Sequence, residues 1–518
     1  MKTLLSAAAL ATAFCTSAVL AQELKIGTAN VVTSIDPHFY NATPNNNIWN
    51  EIFDGLTSLS PNGKVLPDLA VSWEATSETT WVFHLREGVK FHDGSPFTAE
   101  DVAFSLERAQ HVPNSPGGFS GYIGTVASAK ALDELTVEVT TKSIDPNLPG
   151  NLSAIAIVSK AHGEGATTND YNSGVAAIGT GPYKFADFRQ DEKVDLIRNE
   201  AYWDVAPEWK TVTYQMIPSP GARTAAILSG DVDVIEQPNS LDLDRLRADE
   251  NTQVVDVPGM RSIYIFLNHD QTNPGLTDAN GKVLDPNPLR DQRVRKALSI
   301  SIDRELLADR LMRGTATPNA QWLPEGVFSH SPNISLEKPD FEAAKALLAE
   351  AGYPDGFNAV LNVPADRYPN APSVAQGIAQ MWTKIGVKTQ VESMPWSTYS
   401  KDSYGFGLGI LGWGNSTFDA RTTLINVIGA KNEKTGFGSS ARGNYNNPEL
   451  DALTHKAIST LDDAEREALL IEAVDMAMND VAMIPLYNQK NIWVVRKGLH
   501  IVPRQIERTL AHEITSVK

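Results

Sequence analysis

Along its 518 residues the chain alternates short strand-like and helix-like stretches, with no internal repeat and no long linker. That alternation restricts it to mixed α/β domains. Residues 24–27, 81–85, 135–140 and 387–391 read as strands, because β-branched and aromatic residues gather there between turn signals. Thr98 as N-cap, Asp101 three residues on and an apolar face of Val102, Phe104, Leu106 and Ala109 predict a helix over 99–109. Val294, Ala297, Leu298, Ile302, Leu306, Leu307 and Leu311 predict another over 291–313, closed by Gly314. Helices are also expected at 341–351, ended by Gly352 and Pro354, and at 373–385. A pair is expected within 448–478, parted at Leu461-Asp462-Asp463, after which 483–486 and 492–495 return to extended structure. At roughly 150 residues per domain this length accommodates about three domains, each able to bury a core.

The balance of 62 acidic against 44 basic side chains gives a formal charge of −18, which repels phosphate backbones and anionic lipid. Nucleic acid is therefore not an expected partner. The first residues have secretory grammar: Lys2, an apolar run from Leu4 through Phe14, and Val19-Leu20-Ala21 before Gln22. We expect a signal peptide over 1–21, cut after Ala21, and a periplasmic product. The run is too short to span a bilayer, and no later segment approaches 18 uninterrupted apolar residues, so no membrane insertion is expected after cleavage. The single cysteine, Cys15, lies inside this leader. Its loss removes disulfides, thiolate metal sites and cysteine nucleophiles together.

Catalytic motifs are missing. None of the ten histidines lies three to five residues from another, as a helical zinc pair requires. There is no G-x-S-x-G elbow and no Walker loop. Residues 407–412 do spell G-x-G-x-x-G, but Trp413-Gly414-Asn415 follows where a dinucleotide fold starts a helix. A buried strand running into a loop is the expectation there. No cofactor and no metal are expected, and the chain is not expected to be an enzyme; a secreted hydrolase is the rival from another class.

Several stretches together resemble one family. They are Ser34-Ile35-Asp36-Pro37, Glu51-Ile52-Phe53-Asp54-Gly55-Leu56, Leu66-Pro67-Asp68-Leu69-Ala70 with Trp73, and Phe91-His92-Asp93-Gly94. They continue as Gly179-Thr180-Gly181-Pro182-Tyr183, Asn199-Glu200-Ala201-Tyr202-Trp203, Val294-Arg295-Lys296-Ala297 with Ile302-Asp303-Arg304, and Ala351-Gly352-Tyr353. In this order the chain resembles the extracytoplasmic solute-binding proteins of family 5, the dipeptide and oligopeptide type that serves ABC importers. The resemblance implies an α/β fold of the periplasmic binding protein kind: a two-lobed, type II-like clamp with an additional third domain. It implies a discontinuous first lobe from 22–57, 178–268 and 483–518, the added domain at 58–177, and a further lobe at 269–482, with crossings near 268 and 482 as hinges. It also implies a monomer that takes a peptide-like small solute to membrane permease subunits, with ATP hydrolysed by cytoplasmic subunits.

By the same resemblance the solute lies between the lobes. Thr43, Asn45 and Asn46 of the early loop are candidate contacts, although such residues also make ordinary turns. Arg367 occupies the place of an arginine that takes a ligand carboxylate, for which a planar guanidinium offers two parallel donors. Trp396 and Trp413 match aromatic positions beside the ligand. Asn415 and Ser416 stand where peptide binders carry an acid for the α-ammonium, and Asp419, a few positions on, is the nearest carboxylate. That departure leaves a glutathione-like ligand, an opine, a modified peptide or a sugar open beside a simple peptide.

Overall fold

The computed structural model describes residues 23–270, 275–432 and 436–517. The leader, Cys15 and the expected cut after Ala21 lie outside the described residues. Among the described residues no helix is long and apolar enough to cross a membrane.

One sheet of eleven strands runs through most of the molecule. Its hydrogen-bonded order is Lys388–Met394, Asn358–Pro364, Leu408–Gly414, Thr252–Leu267, Met483–Arg496, Val234–Glu236, Glu23–Thr28, Thr211–Met216, Lys193–Arg198 and Tyr183–Arg189, with Ala316–Pro318 added against Met483–Arg496. The two long central strands, Thr252–Leu267 and Met483–Arg496, pair antiparallel and join both halves. Thr252–Pro258 pairs with 490–496 on one side, and Ser262–Phe266 with 483–488 on the other. Between them the register shifts, at Pro258-Gly259. Proline has no N–H for the ladder, and a Cβ on Gly259 would stand 2.6 Å from the Gln489 carbonyl oxygen, so the ladder bends where its partner backbone comes closest.

Each half packs its own core. Leu24, Ile26, Trp49, Tyr183, Tyr214 and Trp493 are fully buried around one end of the sheet. Ile263, Leu361, Val374, Trp382, Leu408 and Leu486 fill one face of the other end, while Tyr264, Trp322, Leu424 and Leu470 belong to a further core on that half. A fourth cluster, from Leu56 to Ile157, sits under a separate four-stranded antiparallel sheet of Ala70–Ser77, Thr80–Leu85, Thr136–Thr141 and Val126–Asp133. The Ser34-Ile35-Asp36-Pro37 stretch fastens this unit to the main sheet. Asp36 accepts two hydrogen bonds of 2.8 Å from Arg108, at the end of the helix Ala99–Arg108, and a third from Thr168.

The expected strands and most helices are present. Thr98 and Asp101 form the capping arrangement, with Asp101 Oδ2 accepting from Thr98 N at 2.9 Å. Two expectations need correction. The helix expected over 291–313 is broken: Gln292–Ile300 ends, and Asp303 caps a new start by accepting from Leu306 N at 2.9 Å before the backbone widens over Leu307–Leu311. The two extended stretches expected at 483–486 and 492–495 are one strand of 14 residues. Its polar middle, Asn488 to Asn491, pairs in the ladder like its apolar ends.

Histidines inside this fold make its stability depend on pH. His38 is fully buried, with Nε2 2.8 Å from the Ala156 carbonyl oxygen and Nδ1 3.1 Å from Arg108 Nη1. Burial, with the Arg108 charge, pushes its pKa down to about 4. An unfolded chain takes up this proton near pH 6.5 and the folded one does not, so the contribution of neutral His38 is lost as pH falls from 6.5 towards 4. His38→Gln is expected to reduce the slope of unfolding free energy against pH in that window by up to about 1.4 kcal/mol per unit, measured by urea titration. An unaltered slope contradicts the assignment.

Candidate functional site

A cavity of about 980 Å³ lies where the long strands bend, and every core unit contributes to its wall. Met260 and Arg261 come from the register shift and Asn491 from the partner strand. Thr43 and Asn46 come from the first turn of the helix Thr43–Ile52, which Pro44 is pre-set to start. The small domain supplies its loop from Leu59 to Val65, with Trp73, Tyr122 and Asn151. The opposite lobe supplies Phe328, His330, the loop 414–419 and Arg421. A returning C-terminal segment, 505–508, closes the ring.

The 414–419 loop is held from within. Asn415 N donates to the Met260 carbonyl at 3.0 Å, tying the loop to the bend. Asn415 Oδ1 accepts from Thr417 N at 3.0 Å and its Nδ2 donates to the Asp419 carbonyl, so both ends of this amide are engaged. Asp419 is buried; Oδ1 accepts from Thr417 Oγ1 at 2.9 Å and Arg421 N at 3.1 Å, while Oδ2 lies 3.2 Å from Arg421 Nε. Burial pushes the Asp419 carboxyl up, and the Arg421 guanidinium beside it pulls it back. Arg421 also reaches across the cleft to Asn151 Oδ1 at 3.1 Å.

Phe418 makes the other crossing. Its backbone is left-handed, φ 53°, a costly conformation for a bulky residue, and its ring is buried against Gly63 of the small domain. Gly63 has φ 85°, and a Cβ there would stand 2.0 Å from Phe418 Cγ. Only glycine meets both demands.

Of the residues expected from the sequence, Thr43, Asn46, Asn415, Ser416 and Asp419 are brought together around this cavity. Asn45 turns away: its Oδ1 accepts from Thr33 N at 2.9 Å and its Nδ2 donates to Thr33 Oγ1 at 3.0 Å. Arg367 is exposed and lies 5.3 Å over the Trp396 ring, which in turn stacks on Tyr399 with centroids 6.0 Å apart. Trp396 and Trp413 pack against the core that contains Tyr264 and Leu470, and neither they nor Arg367 form part of the cavity wall. Sequence reasoning missed Trp73, Tyr122, Phe328, Arg261 and Arg508; only Arg421, two residues from Asp419, carried a local signal.

A cleft walled by both halves of a split sheet and joined by two crossing strands defines a two-lobed binding clamp, with a third domain added. The comparisons give it a family. The profile described as Bacterial extracellular solute-binding proteins, family 5 Middle, matches residues 64–435, and the chain belongs to that family. It is a solute-binding component of the ABC-importer type, from a family of binding proteins rather than enzymes. Heme-binding protein A of Haemophilus influenzae is 29% identical over 447 residues, covering 81% of this chain and 78% of the relative. Glutathione-binding protein GsiB of Pectobacterium atrosepticum is 27% identical, covering 93% and 92%. The same fold is present in HbpA2 from Haemophilus parasuis, with a TM-score of 0.83 at 24% identity over 96% of this chain and 100% of that one.

Gly63→Ala is expected to cost about 1–2 kcal/mol from the left-handed backbone alone, and to expel the Phe418 ring. A lower urea midpoint with faster amide exchange across residues 417–421 is the expected result. Wild-type exchange rates there contradict the Phe418–Gly63 closure.

Proposed function

We propose that this protein captures a peptide-like solute in the 980 Å³ cavity and carries it unchanged to a membrane permease. The observation that carries the reading is the composition of the wall. Side-chain amides of Asn46, Asn62, Asn151, Asn491 and Gln505 share it with the aromatic rings of Trp73, Tyr122 and Phe328. Amides match the donors and acceptors of a peptide backbone, and rings cover its apolar parts. The volume stands at the upper end of small-molecule sites, which suits a short peptide or conjugate better than one amino acid. Relatives named for glutathione and oligopeptides favour the same class.

Within this reading Thr43, Asn46, Asn415 and Ser416 contact the solute. Asp419 acts through Arg421, holding that guanidinium across the cleft, rather than as a free acceptor for an ammonium. Asp419→Asn leaves Arg421 without its counter-charge, and a loss of about 3–5 kcal/mol in stability is expected by urea titration. A stability within 1 kcal/mol of wild type contradicts the pairing.

The protein works as a periplasmic monomer, freed by cleavage after Ala21; N-terminal sequencing should begin at Gln22. Native mass spectrometry of freshly isolated protein is expected to show one co-purified solute per chain, and incubation with a mixed peptide digest is expected to yield retention without cleavage products. Products formed at many per chain overturn the binding reading in favour of a hydrolase.

A further inference from the structure

The cations around the cavity are unequal. Arg421 is paired with Asp419 at 3.2 Å and Arg466 with Asp463 at 2.6 Å. Arg261 reaches Glu507 only at 4.0 Å. Arg508, also in the wall, has no carboxylate within ion-pair distance among the described residues. Its recorded side-chain contacts are weak: Nη1 lies 3.5 Å from Asn50 Oδ1, and the guanidinium carbon 5.7 Å from the centre of the Trp49 ring. The neighbouring Arg504 is satisfied by Glu513 and by the Leu59 carbonyl, so Glu513 is not available to Arg508 as a partner.

A guanidinium withdrawn from water without a counter-charge is costly, and burial together with the Arg504 charge pushes Arg508 down to about 10. In a chain of formal charge −18, such an unpaired cation is out of keeping with its surroundings. Its backbone is nevertheless fixed from four sides. Gln505 N donates to the Pro61 carbonyl at 3.0 Å, Met260 N to the Gln505 carbonyl at 3.0 Å, Asn491 Nδ2 to the Arg504 carbonyl at 3.0 Å, and Thr509 N to Asn47 Oδ1 at 3.2 Å. The fork is thus held at the meeting point of the bend, the small domain and the first helix before any solute arrives, which lowers the ordering cost of binding.

We propose that Arg508 is the seat for a carboxylate of the solute, and hence that this clamp selects solutes bearing a free carboxylate. A planar guanidinium donates two parallel hydrogen bonds to that group and supplies its counter-charge. The inference rests on the cavity being the solute site.

The test compares wild type, Arg508→Gln and Arg508→Lys, each checked for folding by urea titration, against a tryptic peptide digest and the same digest methyl-esterified. Native mass spectrometry reads what is retained, and calorimetry follows the retained peptide. Wild type is expected to prefer free acids over esters at least tenfold; R508Q is expected to lose that preference, and R508K to keep part of it through charge without the fork. If R508Q does not fold, protection of Arg508 from phenylglyoxal by the retained peptide decides instead. An undiminished preference in R508Q, equal retention of acids and esters by wild type, or unprotected Arg508 overturns the proposal. A solute without a carboxylate, retained from a whole-cell metabolite extract, overturns it while the binding function stands. Retention of nothing from digest or extract removes both.

Discussion

The backbone ladder between Thr252–Leu267 and Met483–Arg496 is the constraint from which the rest follows. Two strands long enough to serve both halves of the sheet make those halves one hydrogen-bonded body with a single weak line, the register shift at Pro258-Gly259. A ladder can bend where it is already interrupted at less cost than where it is continuous. The same interruption brings Met260, Arg261 and Asn491 to the cavity, so the place about which the lobes turn is also a place the solute touches. Solute contacts across such a bend favour one relative position of the lobes by the difference in affinity between positions, which is all that closure requires.

Crossing contacts at the rim add to that preference. Phe418 packs on Gly63 and Arg421 reaches Asn151, both between the large lobe and the small domain. The charged groups behind them are paired within their own loops, Asp419 with Arg421 and Asp463 with Arg466. Internal pairing keeps the wall close to neutral where the lobes meet and leaves the unpaired cation, Arg508, on the side anchored to the first helix and the small domain. Polarity in this site is therefore directional: donors and acceptors of the amide type surround the solute, and one fixed positive charge orients it.

How much of this was legible depends on whether a signal is local. Caps and terminators are local, so the helix at Ala99–Arg108 and the break at Asp462 are readable from a few residues. Asp303 is equally local, but the apolar spacing from Val294 to Leu311 runs straight through it and hides a second cap inside one periodic stretch. The polar centre of Met483–Arg496 defeats a reading by hydrophobicity, because those residues are held by strand pairing and not by burial of apolar surface. In the site, the loop from Asn415 to Asp419 is contiguous and was found whole. Asn45 and Asn46 are neighbours on a helix, about 100° apart, so a sequence motif that names both can place only one in the cavity. Arg508, Trp73 and Tyr122 reach the cavity through tertiary return of distant segments, and no spacing in the sequence announces them.

The central claim is that two lobes change their separation around a solute at the bend. Because Cys15 lies in the leader, the exported chain accepts paired labels cleanly at E200C and E392C, exposed sites at opposite ends of the large sheet. The decisive measurement is the spin-label distance distribution between them, taken after the co-purified solute has been removed and again after it is restored. The account predicts a shift to one shorter, narrower distribution on restoring the solute; identical distributions in both states would contradict it.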